Sequence, residues 1–162
     1  MIRRTTQISP AAPVWRQEKD RYIVTTGTYA LALSVADGSI LSLIARGSQK
    51  PILRSGEYGL WHLRFRNGDK LSATSLSPQT EIRGNTLYLR YSHPQALVTV
   101  QVIAQAEYID WMGEVSPHTE TVLDFALPAR CRFDHTQLVR LVCPMDGNQS
   151  VGAAFTASFF GQ

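Results

Sequence analysis

Long apolar runs are missing from this 162-residue chain. No segment approaches the roughly 18 consecutive apolar residues of a membrane-spanning helix, so a membrane is not expected as a partner. The N-terminal segment Met1–Pro10 carries two arginines but no apolar stretch behind them. We therefore expect no secretory signal peptide and, by default, a cytoplasmic location.

Cysteine is scarce, since the chain has only Cys131 and Cys143. A disulfide framework needs more cysteines than this. The two residues fall on what look like successive strands, so a single disulfide between them is geometrically feasible. We predict instead two buried free thiols, because an unpaired cysteine behaves as a small hydrophobic residue.

Charge is also low and scattered: 18% of the residues are charged, and the net charge is +3 at pH 7. The basic residues form no run of five or six, such as marks many interaction tails for nucleic acid. We therefore expect no nucleic-acid partner. The apolar content of 44% is ordinary for a globular domain and argues against a disordered chain.

Catalytic and cofactor motifs are lacking as well. The histidines have no H-x-x-x-H spacing and the cysteines no C-x-x-C spacing, so no metal site is expected. No serine stands in a G-x-S-x-G frame, and the glycines have the spacing of turns rather than of a nucleotide-binding loop. The sequence predicts no catalytic residue, no cofactor and no hydrolysis of common glycosides by this chain.

Four carboxylates around two predicted strands offer a catalytic alternative: Asp110, Glu114, Glu120 and Asp124. Glycoside hydrolysis uses two carboxylates about 5–10 Å apart. Acidic residues are also common on the solvent-exposed face of alternating strands. We favour that second interpretation for all four.

What the sequence does contain is a hydrophobic period of two. Tyr29–Val35 alternates strictly between larger apolar residues and small ones, a pattern that indicates a half-buried strand. Asp37-Gly38 follows, and this dipeptide is preferred in tight hairpin turns. Ile40–Ile44 is then the predicted partner strand.

Similar hairpin signals recur at Asn67-Gly68 and Gly84-Asn85. The centre of Ala96–Ala106 is rich in β-branched residues, which suits a central strand. About ten short strands with regularly spaced turns predict an all-β fold, an antiparallel β-sandwich with little helix, built as two packed sheets. Residues 1–20 are interpreted as an N-terminal arm and residues 21–162 as a single sandwich domain.

Aromatic residues on or beside the predicted strands are the candidate ligand-binding groups. Sugars pack their C–H faces on aromatic rings, and their hydroxyls need polar side chains beside the ring. The candidate carbohydrate-binding residues are Tyr58, Trp61 and Trp111, together with Asp110. Aromatic residues of a sandwich commonly belong to its core, and we favour that alternative for Trp61 and Trp111.

Several short motifs follow one another in a characteristic order. They are Asp37-Gly38-Ser39-Ile40 with Leu41-Ser42-Leu43, then Tyr108–Met112, Leu127-Pro128, and Val142-Cys143-Pro144 with Gly147 behind it. This order resembles the N-terminal β-sandwich domain of multidomain glycoside hydrolases, of the galactose-mutarotase-like supersandwich type. The resemblance covers about residues 22–155.

The resemblance implies a specific role. In those enzymes the domain precedes a barrel that holds the catalytic acids, packs against it and lines the substrate cleft without contributing a catalytic residue. It therefore implies a non-catalytic accessory domain of a carbohydrate-active enzyme, with the catalytic domain of the same parent protein and carbohydrate as partners. Two alternatives stay open, a free-standing carbohydrate-binding module and a small sugar epimerase.

The end of the sequence predicts a further contact. Phe159 and Phe160 are adjacent, so on a strand their side chains would lie on opposite faces. Only one of them can enter the core of this domain, and the other needs cover from a partner. We therefore expect weak homo-oligomerisation in the absence of the catalytic domain.

Overall fold

The computed structural model describes residues 12–133. In this part of the chain thirteen strands form three antiparallel sheets, and the one helical element is a 3-10 turn at Ala73–Ser75. The first sheet contains, in spatial order, β1 (Arg16–Glu18), β2 (Arg21–Thr25), β3 (Tyr29–Ser34), β4 (Ile40–Ala45), β5 (Leu53–Ser55) and β13 (Cys131–Phe133). The second contains β11 (Ile109–Pro117), β10 (Ala96–Ala104), β9 (Thr86–His93) and β8 (Gln79–Arg83). The third contains β12 (Val122–Ala126), β6 (His62–Phe65) and β7 (Lys70–Ser72). The predicted all-β antiparallel sandwich is confirmed.

The predicted hairpin through Asp37-Gly38 is confirmed. β3 and β4 pair antiparallel, with Leu31 opposite Leu43. Gly38 has a φ of +75°, a region in which glycine has no steric penalty. The Asp37 carboxylate accepts hydrogen bonds from the Ser39 backbone N–H at 3.0 Å and from the Ser39 hydroxyl at 2.8 Å. Local turn chemistry therefore closes this hairpin.

β10 is the central strand that the β-branched segment predicts. It pairs with β9 on one side and with β11 on the other. Its residues alternate between buried and half-buried along the whole strand, and Val98, Val100 and Val102 are fully buried. Branched side chains pack well on such a half-buried pleated surface, so composition and position agree.

One hydrophobic core joins all three sheets. Each fully buried aliphatic or aromatic side chain in it contributes roughly 1.5–3 kcal/mol relative to exposure. Its largest fully buried members are Trp61, Tyr91, Phe65, Leu31, Leu33, Leu60, Leu63, Leu87, Leu89, Val24, Val98 and Val100. The three sheets are therefore held together by shared burial rather than by a continuous hydrogen-bonded ladder.

Trp15 anchors the segment before β1 to the second sheet. Its side chain is 3% exposed, and its Nε1 donates to the carbonyls of Asn85 at 3.1 Å and Val102 at 3.2 Å. The neighbouring Val14 is 61% exposed, and β1 pairs with β2. Residues 12–20, which the sequence assigns to an arm, thus contribute one strand and one core side chain to the sandwich.

The number of sheets differs from the predicted two. The sequence predicts a strand over Tyr58–Phe65, but residues 57–60 form a turn and β6 begins only at His62. Gly59 has a φ of +70° there, and a Cβ at this position would lie 2.8 Å from Ser39 Oγ. After this turn β6 pairs with β7 and β12 instead of joining the first sheet, so a third sheet forms.

Three predictions fall outside the described residues: the strand that ends at Pro144, the thiol of Cys143, and the opposed pair Phe159 and Phe160. In residues 12–133, no helix has the length and apolar character needed to cross a membrane.

Candidate functional site

Trp61 belongs to the core. Its side chain has no exposed surface, and its ring meets the edge of Tyr91 with 5.1 Å between the centroids. Its Nε1 has no hydrogen-bond partner among the described residues. A fully buried ring offers no face to a sugar, so the core alternative describes this residue.

Trp111 and Asp110 are adjacent on β11, and their side chains therefore lie on opposite faces of the second sheet. Trp111 lies opposite Val102 and packs against the core. Asp110 lies opposite Ile103 on the outer face, where its Oδ2 accepts a hydrogen bond of 3.4 Å from Gln105 Nε2. The structure does not bring these two candidates together as a platform.

Tyr58 is the candidate residue that lies close to other side chains able to bind a ligand. It lies in the turn of residues 57–60 and is half-buried. Its ring stacks on His62, with 4.4 Å between the centroids and 34° between the planes. The ring therefore stands beside an imidazole at the start of β6, at the surface of the third sheet.

Arg130 joins this group from a distant part of the chain. Its Cζ lies 5.8 Å from the centroid of the Tyr58 ring, and its Nη1 lies 3.7 Å from Glu57 Oε1. Two backbone hydrogen bonds hold it there: Gly56 N–H donates to the Arg130 carbonyl, and Ala129 N–H donates to the carbonyl of residue 60, each at 2.7 Å. We call Glu57, Tyr58, His62 and Arg130 the Tyr58 surface.

A second tyrosine–arginine stack on the outer face of the second sheet has its charges already satisfied. Arg83 Cζ lies 5.2 Å from the centroid of the Tyr88 ring. Arg83 also donates two hydrogen bonds of 2.7 Å to the two carboxylate oxygens of Glu81. By contrast, the 3.7 Å separation of Arg130 and Glu57 exceeds the 2.7–2.9 Å of a charge-assisted hydrogen bond. Among the described residues, the Arg130 guanidinium therefore makes no short hydrogen bond to a carboxylate, whereas Arg83 uses two of its five N–H donors for Glu81.

The pKa of His62 depends on its burial and on the charges near this surface. Burial is the main cause that lowers its pKa, and the positive charges of Lys70, Arg130 and Arg64 act in the same direction, whereas Asp124 opposes them. The buried Nε2 of His62 has no hydrogen-bond partner among the described residues. Three cations and one carboxylate thus act on the imidazole next to Tyr58, and burial together with the cations keeps its pKa below the ordinary value.

The lowered His62 pKa predicts a pH dependence of stability. In the unfolded chain the imidazole titrates near 6.5, so the unfolded state binds the proton more readily than the folded state does. The free energy of unfolding should therefore fall as pH drops from about 7.5 through 6.5 to about 5.5. Urea titrations at these pH values should show a larger loss for the wild type than for His62→Gln. Equal losses, or a His62 midpoint above 6.5 by NMR, would contradict this cause.

Asp110 and Glu114 are too far apart to form a catalytic pair. Asp110 and Glu114 share the outer face of β11, and four residues along a strand separate them by about 13 Å. This exceeds the separation that glycoside hydrolysis uses. Asp124 lies on β12 in a different sheet, opposite Arg64. In residues 12–132, moreover, no three His, Cys, Asp or Glu side chains are grouped as a metal site.

An open pocket of about 240 Å³ adjoins the Tyr58 surface. Its lining residues are Gly56, Glu57, Arg130, Cys131 and Arg132. The Cys131 thiol is free as predicted, but the residue is half-buried rather than buried, and the thiol donates to the carbonyl of residue 129 at 3.1 Å. Burial raises its pKa to about 11, so it stays protonated at neutral pH and is no nucleophile.

Sequence reasoning missed His62 and Arg130. His62 lies four positions after Tyr58 in the sequence and Arg130 lies 72 positions after it. No local sequence pattern predicts the contact of Arg130. Comparisons with known proteins add no further residue, since no protein-family model, curated protein or solved structure matches this chain.

Proposed function

We propose that this chain is a non-catalytic β-sandwich domain of a carbohydrate-active protein, in which the Tyr58 surface contacts carbohydrate. The proposal is based mainly on the partly exposed ring of Tyr58. Beside it lie the Arg130 guanidinium, the Glu57 carboxylate and the His62 imidazole. A sugar can pack a C–H face against the solvent-exposed part of this half-buried ring while its hydroxyls bind the charged groups beside it.

The accessory role is supported by the order of sequence motifs. The Asp37-Gly38-Ser39-Ile40 turn, the Tyr108–Met112 strand and the Leu127-Pro128 strand end resemble the N-terminal domain of multidomain glycoside hydrolases. On this proposal the domain packs on the catalytic domain of the same parent protein and helps to position its substrate. A free-standing carbohydrate-binding module would use the same surface without that partner.

Tyr58→Ala should weaken carbohydrate binding about tenfold, because loss of one stacking contact is worth about 1.4 kcal/mol. Affinity electrophoresis of the 162-residue chain in gels that contain galactan, dextran or polygalacturonate measures this. The matched control is Tyr88→Ala, which removes the other half-buried tyrosine of a tyrosine–arginine stack.

We expect Tyr88→Ala to bind as the wild type does and both variants to keep their thermal midpoints within a few degrees. No retardation of the wild type by any of the three polysaccharides would contradict the proposal. So would binding that depends on Tyr88 rather than on Tyr58.

A further inference from the structure

Two arginines face each other across the β5–β13 strand pair. Arg132 lies directly opposite Arg54 in the register, and both side chains are exposed. Like charges in directly opposed positions destabilise a strand pair, by a magnitude of roughly 0.2–1 kcal/mol. The ion pairs found among the described residues include neither arginine. The β5–β13 pair therefore concentrates positive charge that no ion pair within residues 12–133 neutralises.

The pocket beside the Tyr58 surface is also lined by positively charged side chains. Arg130 and Arg132 both line it, and Glu57 is the single carboxylate among the lining residues. The Glu57 carboxylate lies 3.7 Å from Nη1 of Arg130, which is longer than a charge-assisted hydrogen bond. Arg130 also stacks over Tyr58, so one guanidinium borders both the ring and the pocket.

We infer that the carbohydrate bound at the Tyr58 surface is anionic. Its carboxylate or sulfate group occupies the pocket between Arg130 and Arg132, while a neighbouring sugar ring packs on Tyr58. The planar guanidinium fork matches the paired oxygens of both groups, and a neutral hydroxyl would leave most of these donors unused. The inference rests on the proposed function and adds the chemical class of the ligand.

The arrangement fits a sugar better than a nucleic acid. Single-stranded nucleic acid is bound by a charged groove that follows the backbone and by successive stacking aromatics. Here a pocket of about 240 Å³ adjoins the half-buried ring of Tyr58. An anionic polysaccharide with one charged group per residue requires only that pair of contacts.

The test uses two polymer pairs that differ mainly in charge: dextran against dextran sulfate, and galactan against polygalacturonate. Isothermal titration calorimetry of the 162-residue chain should give at least tenfold tighter binding for an acidic member than for its neutral counterpart. The preferred acidic member distinguishes sulfate from carboxylate as the recognised group. Binding should weaken between about 50 and 300 mM NaCl, because exposed charge pairs are screened.

Single arginine substitutions test where the anionic group of the carbohydrate binds. Arg132→Gln should reduce the affinity for the acidic polymer about fivefold and leave the affinity for its neutral counterpart unchanged, because Arg132 lines the pocket. The control Arg90→Gln removes the same charge from an exposed residue of β9, in the second sheet, and should have no effect. Thermal midpoints show whether each variant is folded.

The outcomes separate the two proposals. If the neutral polymers bind as tightly as the acidic ones, and through Tyr58, then the inference fails while the proposed function stands. If no polysaccharide binds, both fail. Tighter binding of poly(U) RNA than of either acidic polysaccharide, or an Arg90→Gln effect equal to that of Arg132→Gln, overturns the inference.

Discussion

Gly38→Ala is expected to lower the free energy of unfolding by about 3 kcal/mol or more. The residue has a φ of +75°, where an L side chain costs roughly 1–3 kcal/mol. The added Cβ would also collide with the Tyr91 hydroxyl and come within 3.2 Å of a Leu89 methyl. That hydroxyl donates a 2.9 Å hydrogen bond to the Asp37 carbonyl, so the clash also breaks a part-buried contact between turn and core.

Gly47→Ala is the matched control for this effect. Gly47 has a similar φ of +84°, but no heavy atom lies within 4 Å of the position its Cβ would take. The backbone term alone should therefore cost roughly 1–2 kcal/mol. Urea unfolding of both variants measures the difference. If the two substitutions cost the same, the Asp37-Gly38 turn is not docked on Tyr91 as described.

Trp61→Ala is expected to cost about 3–5 kcal/mol of stability, the usual range for truncation of a fully buried tryptophan. The side chain has no exposed surface and contacts Tyr91 edge-on, so its removal leaves a cavity between the third and second sheets. Trp111→Ala is the control, because Trp111 is only half-buried on β11 and should cost less. Urea unfolding monitored by far-ultraviolet circular dichroism gives both values.

This experiment also separates core from binding surface. Tyr58→Ala should leave stability nearly unchanged and weaken carbohydrate binding, whereas Trp61→Ala should destabilise the fold. A Trp61→Ala variant of wild-type stability that has lost carbohydrate binding would reverse these assignments.

Local signals predicted the hairpins because their causes are local. The alternation in Tyr29–Val35 and the Asp37-Gly38 turn are sufficient to specify β3 and β4, and the β-branched run specifies β10. The third sheet could not be predicted from local signals of this kind. It depends on the turn at Gly59, which packs against Ser39 in another hairpin, and that contact is invisible to periodicity.

The candidate site was only partly predictable for a related reason. The separation of Trp111 from Asp110 follows from their adjacency on one strand. Alternation does not say which face another sheet covers, so it could not decide that Trp61 is buried. Arg130 reaches Tyr58 because backbone hydrogen bonds join Gly56 and Leu60 to the segment before β13, and no local pattern predicts that pairing.

The most direct test of carbohydrate binding at the Tyr58 surface is an NMR titration of the ¹⁵N-labelled chain with oligosaccharides of galacturonic acid and of galactose. We expect saturable shifts of the backbone amides around Tyr58, His62 and Arg130, with the larger response to the acidic sugar. Shifts centred on Tyr88 and Gln101, on the outer face of the second sheet, or no shifts with either sugar, would contradict the account.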